Sequence, residues 1–235
     1  MLSKEEFKRY QKQIMLDDIG INGQIKIKQT RVAVVGAGGL GCPVLQYLTS
    51  VGVGTIGVID FDTVEESNLH RQTIYSANDV GLPKVDVAVQ KLSFQNPYVK
   101  HVPHKILINE ETAAILSEYD IIIDGCDNFS TRYLINDWCI KLNKPLVYGS
   151  ILAYEGQLAV FNYNGSRNLR DIFPDEPNPQ DVPSCSENGV LGTVPGIIGA
   201  LMAQQTIQVI LGKPSLVNTF LIYNTENNQQ KKISY

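Results

Sequence analysis

The sequence predicts an α/β fold: a Rossmann-like doubly wound, mostly parallel sheet, extended by antiparallel C-terminal strands and preceded by an N-terminal helical segment. Three observations carry this. Apolar, largely β-branched runs at about 31–35, 55–59, 99–106, 120–124 and 145–149 alternate with helical periods at about 39–51, 84–95, 110–117 and 129–142, as βαβ units require. The first run, Val32-Ala33-Val34-Val35, ends in Gly36-x-Gly38-x-x-Gly41, a turn that lets the following helix offer its free N–H groups to phosphate. Asp60 then stands about twenty residues beyond Gly41, at the end of the next apolar run, where a carboxylate meets a ribose hydroxyl.

Each remaining element follows from local pattern. Ser3 with Glu6 makes a capping box for a helix over about 3–15, and a short second helix covers about 23–28. Polar and apolar residues alternate over 155–163, and the segments 217–224 and 229–235 flank Thr225-Glu226-Asn227-Asn228 as a hairpin, so this region extends the sheet antiparallel. The stretch 164–189, with Pro174, Pro177, Pro179 and Pro183, reads as a mobile or functional loop. The almost wholly apolar 196–211 reads as a core helix. The organisation expected is one domain: N-terminal helices over 1–30, a nucleotide-binding half over 31–150, and a second half over 151–235.

The residues after the second strand say what kind of nucleotide. Asn68, Arg71 and Gln72, followed by Lys84 behind Gly81-Leu82-Pro83, put two cations and two amides beside the glycine turn. That set suits a triphosphate whose charge is held and then stabilised as a phosphoanhydride breaks; the alternative is that Arg71 and Lys84 are solvated surface charges. A further apolar strand, Ile121-Ile122-Ile123-Asp124, delivers Gly125-Cys126-Asp127-Asn128 at its C-terminal end, the edge where open α/β sheets bind ligands. Asp127 there can hold a magnesium ion that bridges phosphates. The competing reading is a helix cap, supplied by Asp127 or by Asn128 to a helix beginning near Ser130.

These motifs resemble the ThiF/MoeB/HesA family, bacterial relatives of ubiquitin-activating enzymes that adenylate the C-terminal glycine of a small ubiquitin-like sulfur-carrier protein. The resemblance runs over nearly the whole chain: Arg9-Tyr10-x-x-Gln13-Ile14, the glycine turn, Asp60-Phe61-Asp62, Ser67-Asn68-Leu69-His70-Arg71-Gln72, Pro83-Lys84, Asp124-x-x-Asp127-Asn128, Glu155-Gly156-Gln157, and Cys185 ahead of Gly189-Val190-Leu191-Gly192. It implies ATP and magnesium as cofactors, Gly39 under the phosphates with Gly36, Gly38 and Gly41, Asp60 on the ribose, and Asn68, Arg71 and Lys84 on phosphate, flanked by Ser67 and Gln72. Asp127, beside Asn128, is implied as the magnesium ligand.

Three departures alter what the resemblance implies. The family pattern Arg-Tyr-x-Arg-Gln carries a second arginine that reaches across a homodimer interface to the partner's phosphates. Here that position is Lys12, which keeps the charge without the bidentate fork. Many members bind a structural zinc through two Cys-x-x-Cys pairs, but Cys42, Cys126, Cys139 and Cys185 never fall three apart, so no zinc is expected. The segment 169–185 resembles members that continue into a rhodanese sulfurtransferase domain, whereas this sequence stops at Tyr235, so a separate sulfurtransferase is expected. Cys185 has two readings: a loop-borne nucleophile that bonds to the activated carrier, or a thiol with no part in adenylation.

Composition limits the alternatives. With 20 Lys and Arg against 24 Asp and Glu, a net charge of −4 disfavours binding to nucleic acid or anionic membrane. A charged N-terminus without an apolar core, no run approaching ~18 apolar residues, and four cysteines without a framework make a cytoplasmic protein the expectation. The expected reaction is acyl-adenylate formation on a carrier ending in Gly-Gly, from the thiamine-thiazole or the molybdopterin pathway. Two other classes fit parts of the pattern. A nicotinamide- or flavin-dependent oxidoreductase accounts for the glycine turn and Asp60 but leaves Arg71, Lys84 and Asp127 unexplained. A non-catalytic regulatory or scaffold subunit is opposed by the phosphate-contacting residue types, all present but for Lys12.

Overall fold

A computed structural model describes residues 1–178 and 189–235. Strands β1 (Arg31–Val35), β2 (Thr55–Ile59), β3 (Lys100–His104), β4 (Ile121–Asp124), β5 (Leu146–Leu152), β6 (Glu155–Phe161), β7 (Thr219–Asn224) and β8 (Gln229–Ser234) form one sheet in the order β3-β2-β1-β4-β5-β6-β7-β8. The pairings from β3 through β5 are parallel, and those from β5 through β8 antiparallel. The chain moves from β1 outward to β3, then returns to the other side of β1 at β4. That reversal makes the C-terminal ends of β1 and β4 the topological switch point, where a crevice opens for ligand.

Helices on both faces bury the parallel strands. Val32 and Val34 of β1 join a core cluster with Leu45 and Leu48 of α3 (Gly41–Val51) and Ile198 and Met202 of α6 (Thr193–Ile210). Ala33 and Val35 face the opposite cluster, with Ile135 and Cys139 of α5 (Phe129–Leu142). This is the two-residue alternation of a strand buried on both sides.

The expected elements are present, with informative differences. Helix α1 (Lys4–Ile14) carries the Ser3–Glu6 capping box. Helix α2 runs Gly20–Gln29, three residues earlier than its apolar pattern suggests. Helix α4 (Lys84–Gln95) matches its expected span. The helix expected at 110–117 is instead a 3-10 helix, Ala113–Glu118. Asn109 Oδ1 accepts from the Glu111 and Thr112 N–H groups and Thr112 Oγ1 donates to Leu107 O at 2.6 Å, so side chains satisfy the backbone as a turn before an α-helix can start.

The stretch expected to be mobile from 164 onward is tied down as far as it is described. Leu169–Asp171 form a 3-10 turn with Leu169 buried, Arg170 clasps Asp137 of α5 through two 2.7 Å contacts, and Tyr133 Oη donates to Phe173 O and Asp175 O. Cys185 and the rest of 179–188 lie outside the described residues. Among the described residues, no helix is long and apolar enough to cross a membrane.

Candidate active site

The site is assembled where β1, β2 and β4 end. Gly36, at φ +90°, turns the chain sharply out of β1, and a Cβ there would stand 2.7 Å from Gly125 O. The turn after β1 therefore packs backbone to backbone on the turn after β4. A Cβ on Gly41 would run into the Gly36 carbonyl, so only glycine lets α3 start this close to the strand. Helix α3 begins with no side-chain cap, but Cys42 N donates to Gly38 O at 2.9 Å and Pro43 has no N–H, so the N–H groups with no partner among the described residues are those of the turn itself, Gly38 to Gly41.

Asp60 fixes one wall. Only 8% exposed, it accepts from Ala37 N at 2.7 Å through Oδ2 and from Asp62 N at 2.8 Å through Oδ1, joining the end of β2 to the glycine turn. Burial raises its pKa above the usual carboxylate range, with Lys84 opposing the rise. Each oxygen keeps a lone pair for a further donor such as a ribose hydroxyl.

Arg71 and Gln72 form the facing wall. The nearest atoms to a Cβ built on Gly38 or Gly39 include Gln72 Nε2 at 3.6 Å and Arg71 Cδ at 3.7 Å. Asn68 orients Arg71 by accepting from Nη2 at 3.0 Å, and Ser67 supplies its carbonyl to Nη1 at 3.2 Å. The Gln72 side chain is buried, yet among the described residues its Oε1 has no partner. A buried carboxamide oxygen without a donor calls for one from a ligand. Pro195, at the start of α6, touches the same turn, a contribution from the C-terminal half that no local motif announces.

Lys84 is the first residue of α4 and only 5% exposed. A cation at a helix N-terminus opposes the helix dipole. Its Nζ is held 2.9 Å from Asp62 Oδ2, on a carboxylate that is itself about half exposed. The pairing was not foreseen, because Asp62 and Lys84 lie on separate segments joined only by the fold.

Asp127 follows β4 and is exposed; among the described residues its carboxylate has no hydrogen bond or ion pair. The cap of α5 is made by Asn128, whose Oδ1 accepts from Thr131 N at 2.9 Å. The cap reading thus falls to Asn128, which leaves the Asp127 carboxylate uncommitted to the helix. Beneath the turn lies a pair that sequence reasoning missed, Asp124 Oδ2 and Arg132 Nε at 3.1 Å, both buried. Asp124 Oδ1 also accepts from Cys126 N and Sγ, while Arg132 Nη2 donates to Cys126 O at 2.8 Å and Gly149 O at 3.0 Å. Together they fix the backbone on which Asp127 stands. The available signal was an arginine among the inward positions Phe129, Tyr133 and Asn136 of an otherwise ordinary helix.

The structure brings Gly36, Gly38, Gly39, Gly41, Asp60, Asn68, Arg71, Gln72, Lys84 and Asp127 to the strand ends, but not Lys12. Arg9 donates to Gln95 O, Tyr10 Oη accepts from Asn96 Nδ2 at 2.9 Å, and Gln13 Nε2 donates to Val51 O at 2.9 Å. These anchors pin α1 to the C-terminal ends of α3 and α4, about 16 Å of helix away from the glycine turn. Lys12 is left exposed. Cys42, Cys126 and Cys139 are buried, and desolvation pushes the Cys42 thiol up to about 12, which leaves them as packing residues.

A sheet with a parallel core, a glycine turn before α3, a buried carboxylate bonded to that turn, Arg71 beside it and Lys84 paired to Asp62 is the architecture of a nucleotide-binding α/β protein. The chain belongs to the ThiF family, whose profile matches residues 10–235. It is 45% identical over 240 residues to the sulfur carrier protein adenylyltransferase of Thermus thermophilus, covering 99% of this chain and 88% of that protein. It is 46% identical over 222 residues to the adenylyltransferase and sulfurtransferase MOCS3 of Aedes aegypti, covering 94% of this chain. The chain spans about half the length of MOCS3. The crystal structure of selenomethionine PaaA superposes with a TM-score of 0.82 at 25% identity, over 99% of this chain and 74% of PaaA.

Proposed function

We propose that this protein uses ATP to adenylate the C-terminal glycine of a ubiquitin-like sulfur-carrier protein and releases pyrophosphate. The observation that carries the reading is Asp127, an exposed, unpartnered carboxylate at the switch point, with the helix cap beside it already supplied by Asn128. The names of the Thermus and mosquito relatives, a sulfur carrier protein adenylyltransferase and an adenylyltransferase and sulfurtransferase, support the same reading.

Each group then has a task. The N–H groups of the Gly38–Gly41 turn and Arg71 hold phosphate, Asp60 takes the ribose, and Gln72 Oε1 receives a donor from the nucleotide. Lys84 meets the phosphates from its buried seat beside Asp62. Asp127 fits a magnesium ion, which takes few carboxylates and several waters and offsets phosphate charge. The carrier's terminal carboxylate attacks the α-phosphorus, the bond to the bridging oxygen breaks, and pyrophosphate leaves with that electron pair. No general base is required, since the nucleophile is already ionised at neutral pH. The work of the residues is alignment and charge neutralisation.

In this reading 31–150 is the nucleotide half and 151–235 the carrier half, and Lys12 acts on the phosphates of a second copy in a homodimer. The test is ATP–pyrophosphate exchange with purified carriers ending in Gly-Gly, from the thiazole and the molybdopterin pathways. Exchange that depends on one of them is expected; exchange without a carrier, or none with any, overturns the reading.

A further inference from the structure

Gln157, from the Glu155-Gly156-Gln157 motif, has no task in handling the nucleotide. It lies on a second cavity, of about 290 Å³, between α5, β5 and β6. Phe129, Tyr133, Tyr148 and Phe173 contribute aromatic rings to its walls, and Arg132 and Gln157 polar groups. The charge of Arg132 is already satisfied by Asp124, Cys126 O, Gly149 O and the Tyr148 hydroxyl. Gln157 Oε1 accepts from Ser150 Oγ at 3.2 Å and faces Tyr148 Oη at 3.5 Å. That leaves Gln157 Nε2 as an N–H donor with no partner among the described residues. A ring-walled cavity with one open amide donor, and with Asp175 also on its lining, suits a neutral apolar side chain attached to a peptide carbonyl and disfavours an anion.

Its position beside Asp127 points to an occupant. Phe129 is two residues from Asp127, so their Cα atoms lie no more than about 7 Å apart. A Gly-Gly segment spans the same length. A carrier tail whose terminal carboxylate reaches phosphate beside Asp127 is therefore long enough to bring its third-from-last residue to this cavity. We propose that the cavity receives the apolar side chain of the residue preceding the carrier's terminal Gly-Gly, and that Gln157 Nε2 donates to that residue's main-chain carbonyl. The proposal rests on the adenylation reading and adds a specificity site to it.

The experiment measures pyrophosphate release with two forms of one carrier, bearing Val or Asp immediately before Gly-Gly, on the wild-type chain and on Phe173→Ala and Gln157→Leu. Phe173 is about half exposed and its bond with Tyr133 is through its backbone carbonyl, while its ring packs edge-on against Phe220, so the Tm of Phe173→Ala is measured beside its kinetics and Gln157→Leu serves as the second variant. The wild-type chain should prefer Val by about tenfold to a hundredfold in kcat/KM. Both variants should raise KM for the Val carrier by about tenfold and flatten the preference, with KM for ATP and the Tm rise on adding Mg-ATP unchanged. Activity without the preference, a preference that survives both substitutions, or a shift in KM for ATP instead would overturn the cavity's role. Silence of the wild-type chain with every carrier is a different result, which overturns the adenylation reading and the cavity's role together.

Discussion

β1 and β8 contrast the interior of the sheet with its edge. Four of the five residues of β1 are buried on both faces, whereas all six residues of β8 are exposed. The parallel half is buried along its strands, so the candidate polar groups stand where strands end: Asp60 after β2, Asp127 after β4, and the glycine turn after β1. The antiparallel half leaves surface along its strands and contributes to the crevice mainly through Pro195 on α6. The difference teaches that a doubly wound sheet concentrates chemistry at one edge, while its antiparallel extension offers area, the kind of surface a protein partner needs.

The largest effect expected from testing this contrast is on stability at the seam between the halves. Arg132→Ala leaves Asp124 buried and uncompensated at the junction of β4 and β5, and should cost about 3–5 kcal/mol in urea unfolding. A cost below about 1 kcal/mol would mean that the turn bearing Asp127 is held by something else.

A smaller, pH-dependent effect belongs to the parallel edge. His101 of β3 is hydrogen-bonded to Thr49 Oγ1 and Ser93 Oγ, and burial lowers its pKa from 6.5 to about 4. The unfolded chain takes up a proton as pH falls through 6.5, but the folded chain does so only near 4. Stability is therefore unaffected by this group above pH 7 and is lost progressively between 6.5 and 4, by roughly 2 kcal/mol at pH 5. His101→Gln should remove that part of the acid sensitivity; an unchanged pH profile of unfolding would assign it to other groups.

The antiparallel edge should be the most tolerant. Lys231→Ala and Lys232→Ala, on the exposed β8, should change unfolding free energy by less than about 0.5 kcal/mol. A larger change would show that β8 contributes to the core more than its exposure indicates.

The legible parts of the sequence were those in which one short segment contains its whole physical reason. The glycine turn, the Ser3–Glu6 box and the period of 84–95 each specify themselves locally, and each stands where it was read. What escaped depends on distant partners. Arg9, Tyr10 and Gln13 carry the family resemblance, yet within the chain their work is to anchor α1 to Gln95, Asn96 and Val51, residues far along the sequence. Asp62 with Lys84 and Asp124 with Arg132 are ion pairs made by tertiary folding, invisible to periodicity. The segment 110–117 failed for a local reason of the opposite kind, since Asn109 and Thr112 compete for backbone groups and win.

The adjacent pair Asp127 and Asn128 gives the most direct test of the central claim, that the residue at the β4 edge handles phosphate while its neighbour holds the helix. ATP–pyrophosphate exchange with a Gly-Gly carrier, measured beside Tm for Asp127→Ala and Asn128→Ala, separates the two. Asp127→Ala should lose at least about 10²-fold in exchange with Tm nearly unchanged. Asn128→Ala should cost about 1 kcal/mol of stability through the lost cap and retain most of the exchange. Near-normal exchange in Asp127→Ala at saturating magnesium would contradict the account and place the metal elsewhere.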